Sequence, residues 1–97
     1  MSITRIGETQ TKPETTKALR DFLLSILPLI KSSQGCESAT LYQSRDNPSK
    51  FTIIEVWDSV ESHEAWVRNI PPETLTGIKP LLASEPNGGY FELISKS

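Results

Sequence analysis

Glu55, His63 and Trp66 stand close together in the chain, and Cys36 is further off. His63 is the only histidine. Imidazole is the one side chain that titrates near neutrality unaided, which makes His63 the candidate general base. An unperturbed imidazole in that role would lose activity on protonation between about pH 6 and 7. Trp66 offers a flat apolar surface on which an aromatic ligand can stack. The plainer alternatives are a core tryptophan and a satisfied, half-buried histidine. Glu55 lies among Ile53, Ile54, Val56 and Trp57. A carboxylate there must be paired, with Arg5 or a group of a partner chain, or carry a raised pKa. The sequence shows neither which sheet face holds it nor any acid that would orient His63.

Other chemistries lack their residues. A lone Cys36 forms no intrachain disulfide and reads as a small apolar residue. One cysteine and one histidine are too few for a protein-only structural zinc site. There is no G-x-S-x-G elbow for a serine nucleophile. The glycines at Gly88 and Gly89 precede a strand pattern, which is not how a phosphate-cradling loop is built. No metal and no cofactor is expected.

The elements that position these residues begin with Phe51 to Trp57, a run of β-branched and aromatic residues that reads as a strand buried on both sides. At Asp58 the pattern turns helical, with Asp58 and Glu61 spaced as a capping box and Val60, Val67 and Ile70 facing the sheet. Before it, residues 2–10 read as a first strand, where Gly7 suggests a bulge or a close approach. Thr11 and Glu14 have capping-box spacing and Pro13 suits a first turn. The helix that follows buries Leu19, Phe22, Leu23, Ile26, Leu27 and Ile30, with Pro28 kinking or tightening its last turns and Gly35 taking the left-handed position after it. Cys36 to Ser44 is a second strand, and Asp46 to Ser49 (DNPS) a turn joining it to the third as an antiparallel hairpin. Thr74 to Leu82 reads as a short third helix limited by Pro80, and Tyr90 to Ile94 as the last strand.

The order βαββα(α)β makes a single α+β domain over residues 1–97: a ferredoxin-like sandwich with one antiparallel sheet and helices on one face. The central strand sets Phe51, Ile53 and Trp57 against Ile54 and Val56, so both sheet faces are apolar. One face then lacks a partner, and a homodimer packed through it is expected. Ten basic against 12 acidic residues, interspersed, leave a net charge of −2 and no basic stripe for nucleic acid or an anionic membrane. The longest apolar stretch, around Phe22 to Ile30, is too short to span a bilayer. With no charged segment leading into an apolar one at the N-terminus, a cytoplasmic location is expected.

Asp46 to Phe51 (DNPSKF), Glu55 to Ser59 (EVWDS), then Glu61 and Glu64 to Trp66 (EAW), resemble the antibiotic biosynthesis monooxygenase (ABM) domain. The resemblance implies ferredoxin-like subunits paired as a dimeric α/β barrel. It also implies one of several activities: cofactor-independent oxygenation of quinols and aromatic polyketides, haem degradation, or processing of a small signalling molecule. Where many members have a histidine after Glu-Ala, this chain has Trp66. The haem-degrading branch also has a helix tryptophan, but carries a histidine further along, where Thr74 to Lys79 has none. It has a first-strand asparagine as well, where this chain has Gly7 and Glu8. Haem turnover is therefore not expected. The polyketide-oxidising branch pairs its helix tryptophan with an asparagine one turn earlier, here Ser62.

Two functions follow as expectations. The first is a cofactor-independent monooxygenase of a quinol or other electron-rich aromatic. The second is a non-catalytic dimeric barrel binding a small apolar ligand. In either, the pocket is expected between sheet and helices, bounded by His63 and Trp66 and by Phe22 or Ile26.

Overall fold

The computed structural model describes residues 1–97. Its strands are β1 (Ile3–Gln10), β2 (Cys36–Gln43), β3 (Lys50–Trp57) and β4 (Asn87–Phe91). Its helices are α1 (Thr16–Lys31), α2 (Val60–Arg68) and α3 (Pro72–Ile78), with short 3-10 turns at Pro13–Thr15 and Lys79–Leu81. The strands form one antiparallel sheet in the order β2-β3-β1-β4. This is the expected ferredoxin-like α+β arrangement. No helix is long and apolar enough to cross a membrane.

The most apolar strand takes a central place, where both its edges are hydrogen-bonded. Phe51, Glu55 and Trp57 are buried on its helix-covered face, and Phe51 packs with Leu19 and Leu23 of α1 as the core. Phe22, Ile26, Leu41, Ile53, Leu81 and Leu82 close around that core. Register places Arg5 and Tyr90 on the same face as Glu55, since Arg5 pairs with both. The opposite face carries Ile6, Ile54, Val56, Tyr42 and Phe91, the last two about half exposed at 54% and 50%.

Several local expectations are corrected. β1 pairs with β3 in unbroken register through Gly7; the irregularity lies at Cys36 and Ser38 in β2. Thr11 caps no helix. It is buried, with its hydroxyl bonded to the Thr16 hydroxyl (2.7 Å) and the Ser49 carbonyl (3.2 Å), so the chain enters α1 through a 3-10 turn. The cap of α2 is Ser59 rather than Asp58. The Ser59 hydroxyl accepts from the Ser62 N–H, while the Asp58 carboxylate accepts from the Ser59 and Ser62 hydroxyls. Val67 does not face the sheet; it is 43% exposed. β4 starts at Asn87 and ends at Phe91, leaving Leu93 and Ile94 exposed beyond it.

Gly35 does take the left-handed conformation, at φ 89°. Its carbonyl accepts from the Asp58 N–H (2.8 Å), and a Cβ on it would lie 2.5 Å from Ser62 Oγ and 2.6 Å from Asp58 Oδ1. The loop into β2 is thus seated against the start of α2. Gly35→Ala adds both the backbone strain and the clash. Its urea midpoint should fall by the equivalent of roughly 1–3 kcal/mol.

Candidate functional site

α2 carries the two residues that chemistry would use, and it separates them. Successive helical residues turn by about 100°, so His63 and Trp66 point about 60° apart. His63 turns down onto the sheet and is 7% exposed. Trp66 turns sideways toward α1, into an apolar cavity of about 530 Å³.

That cavity lies between α1 and the α2–α3 segment. Phe22, Leu23, Ile26 and Leu29 form one wall; Trp66, Ile70, Pro71, Leu75 and Ile78 form the other, with Asn69 and Thr74 as its polar lining. Trp66, Phe22 and Ile26 are brought together as expected. His63 is not among the lining, which corrects its expected place beside Trp66. No titratable side chain lines the cavity at all.

His63 sits instead in a buried polar cluster. Its Nδ1 is 2.7 Å from the Tyr90 hydroxyl, and its Nε2 is 3.8 Å from Glu55 Oε1. The Trp57 indole N–H donates to the same Glu55 oxygen at 2.8 Å. The ring of His63 meets Trp57 and Tyr90 edge-on, with centroids 5.5 and 5.3 Å apart. Glu55 faces the helices, and its cross-strand neighbour Arg5 makes no salt bridge to it; the guanidinium stands over the Tyr90 ring, 5.3 Å from the centroid. Glu55 is the acid facing His63 that sequence reasoning missed. Alternation puts Glu55 on the same side of β3 as Phe51, but only pairing through β1 to β4 and the packing of α2 make that the helix-covered face and bring the four side chains together.

Burial raises the Glu55 carboxyl above its usual 4.5, with the Trp57 N–H and the Arg5 charge pulling the other way. Burial lowers the His63 imidazole below its usual 6.5, and Arg5 acts in the same direction. A protonation limb due to His63 therefore falls below the range expected of a free imidazole. No three His, Cys, Asp or Glu side chains converge where they would hold a metal ion. The Thr74 to Lys79 segment offers Thr74, Thr76 and Lys79 as its only polar side chains.

The sequence profile described as antibiotic biosynthesis monooxygenase matches residues 2–71. No curated protein matches the chain. Among solved structures, Rv0793 from Mycobacterium tuberculosis superposes with a TM-score of 0.82 at 19% identity, covering 100% of this chain and 99% of that one. PA3566 from Pseudomonas aeruginosa gives 0.86 at 20% identity, covering 97% and 95%. NE2512 from Nitrosomonas europaea, described as a protein of unknown function, gives 0.82 at 25% identity, covering 99% and 92%. These likenesses extend the shared fold over the whole chain.

The directions of the two shifts set a pH dependence of stability. The raised Glu55 contributes fully below about pH 4.5, and its contribution is lost as pH rises through its folded-state value. The lowered His63 contributes fully above 6.5, and its contribution is lost as pH falls through its folded-state value. Glu55→Gln cannot ionise. Urea midpoints taken upward from pH 4.5 should therefore show the wild type progressively losing ground to Glu55→Gln.

Proposed function

Because the chain belongs to the antibiotic biosynthesis monooxygenase family, we propose that it oxygenates a small electron-rich aromatic, a quinol or related phenol, held in the cavity beside Trp66. The observation that carries this reading is the cavity itself: about 530 Å³, apolar on both walls, with an indole on one side and Phe22 on the other. Such an apolar space suits a flat ring system. A deprotonated quinol passes electrons to dioxygen itself, so the protein's part is to orient it, keep it dry and favour its anion. The reading requires no metal or flavin, and the cavity's apolar lining supports an aromatic substrate.

One observation favours the other reading, a binding protein for a small apolar ligand without chemistry. The cavity wall contains no group that takes a proton, and His63 is turned away from it. Oxygen uptake with a panel of hydroquinones and anthrones separates the two. Catalysis predicts uptake above a protein-free control, with Trp66→Ala raising KM about tenfold or more through lost stacking area. Saturable binding of the same compounds, without uptake, leaves the binding reading alone.

We propose further that the protein works as a homodimer whose second copy covers the open sheet face. Ile6, Ile54, Val56, Tyr42 and Phe91 give that face an apolar centre, and Leu93 and Ile94 extend past its edge, 73% and 93% exposed. A stable interface of this kind buries about 2,000 Å² or more. Sedimentation at micromolar concentration should give a dimer, and Ile54→Asp should shift it toward monomer. A wild-type monomer under those conditions removes the proposal.

A further inference from the structure

The cavity between α1 and the α2–α3 segment is apolar except at Asn69 and Thr74. Asn69 closes α2 as its C-cap. Its backbone N–H bonds to the Ala65 and Trp66 carbonyls at 3.2 and 3.1 Å, while its side-chain amide bonds to nothing in the protein. Three residues on from Trp66, it shares that residue's side of the helix. Thr74 stands in the first turn of α3, with its N–H on the Pro71 carbonyl at 3.0 Å. Its hydroxyl is without a partner as well. The Thr76 hydroxyl shows the usual alternative, bonding back to the Pro72 carbonyl at 3.1 Å. For Thr74 the residue four back is Ile70, which lies outside the helix.

Asn69 is exposed and Thr74 half-buried, so the two mark the mouth of the cavity. Pro71 and Pro72 stiffen the backbone between them. A few placed polar groups in an otherwise apolar site fix the orientation of a ligand. An amide and a hydroxyl each donate and accept, and neither carries charge. Nothing lining the cavity would balance a carboxylate or a phosphate.

We infer that Asn69 and Thr74 are the specificity-determining residues of this cavity, selecting a flat apolar ligand that presents an uncharged oxygen, hydroxyl or carbonyl, at the mouth. A ligand carbonyl accepts from the Asn69 amide or the Thr74 hydroxyl; a ligand hydroxyl also donates to the Asn69 amide oxygen. A fully enclosed polar pair would reject the ligand lacking that oxygen by several orders of magnitude. At a mouth, water replaces the missing partner, so the discrimination is about tenfold, the worth of one or two neutral hydrogen bonds. The inference rests on the reading of this cavity as the ligand site. It concerns binding and not electron transfer, so it holds whether the ligand is oxidised or only held.

The test is calorimetric titration at neutral pH with four naphthalenes that share one ring system. Naphthalenemethanol and acetonaphthone carry the neutral oxygen, ethylnaphthalene lacks it, and naphthoate carries a charge in its place. Wild-type protein should bind naphthoate most weakly. In the double variant Asn69→Leu with Thr74→Val, the two oxygenated probes should lose about tenfold relative to ethylnaphthalene, whose retained binding shows the cavity intact. If ethylnaphthalene binding is lost there, Thr74→Val alone decides, with a loss of about threefold. Relative affinities unchanged by the substitutions overturn the inference, as does naphthoate binding tightest. Failure of every probe to bind the wild type removes the cavity as a ligand site, and the inference with it. Selective binding without oxygen uptake by any hydroquinone or anthrone removes only the oxygenase reading and leaves this one standing.

Discussion

The helix-covered face of the sheet is organised around a carboxylate held inside an otherwise apolar layer. Glu55 occupies a position where alternation along β3 calls for a hydrophobe, between Ile53 and Trp57 on the same face. A buried carboxylate without partners costs several kcal/mol. The structure meets that demand with the adjacent indole N–H, and it brings the only histidine to the other side. This arrangement fixes the rotation of α2, because His63 must point down. Trp66 is thereby directed sideways, and the cavity between the helices inherits its tryptophan from a requirement of the sheet.

The result is a division of labour around one short helix. On its α1 side the surroundings are apolar and without titratable groups; on its β4 side they are polar, with Arg5, Tyr90, His63 and Glu55 in sequence. α2 itself is nine residues long and is secured at its start by the Ser59 cap and by the Asp58 carboxylate under Gly35. A helix of that length depends on packing and capping more than on its own hydrogen bonds.

Much of this architecture was legible in the sequence, because periodicity reports burial directly. The β3 run, the hairpin turn before it, the α1 stripe and the left-handed Gly35 all follow from local residue types. So does the grouping of Trp66 with Phe22 and Ile26. What local pattern misjudged was competition for polar groups. Thr11 has the spacing of a cap, but it was recruited by Thr16 and Ser49, and Asp58 was recruited by two serine hydroxyls. β4 was misplaced because Gly88 and Gly89 resemble a loop, whereas they pair with β1 and make room for Arg5. The Glu55–His63 approach was out of reach for a different reason. It joins a strand to a helix face through rotation about the helix axis, which spacing in sequence leaves undetermined by tens of degrees.

The two tryptophans divide between these two environments. Trp57 is fully buried with its indole N–H on a carboxylate, and Trp66 stands in the wall of the apolar cavity. The chain therefore carries an intrinsic optical label in each compartment. Emission from Trp57 follows the charge on Glu55, since an ionised acceptor on the indole nitrogen shifts the energy of its excited state. Emission from Trp66 follows whatever occupies the cavity, through contact quenching or energy transfer to a bound aromatic. Replacing either tryptophan by phenylalanine isolates the signal of the other, so events on the two sides of α2 can be timed independently in a single unlabelled protein.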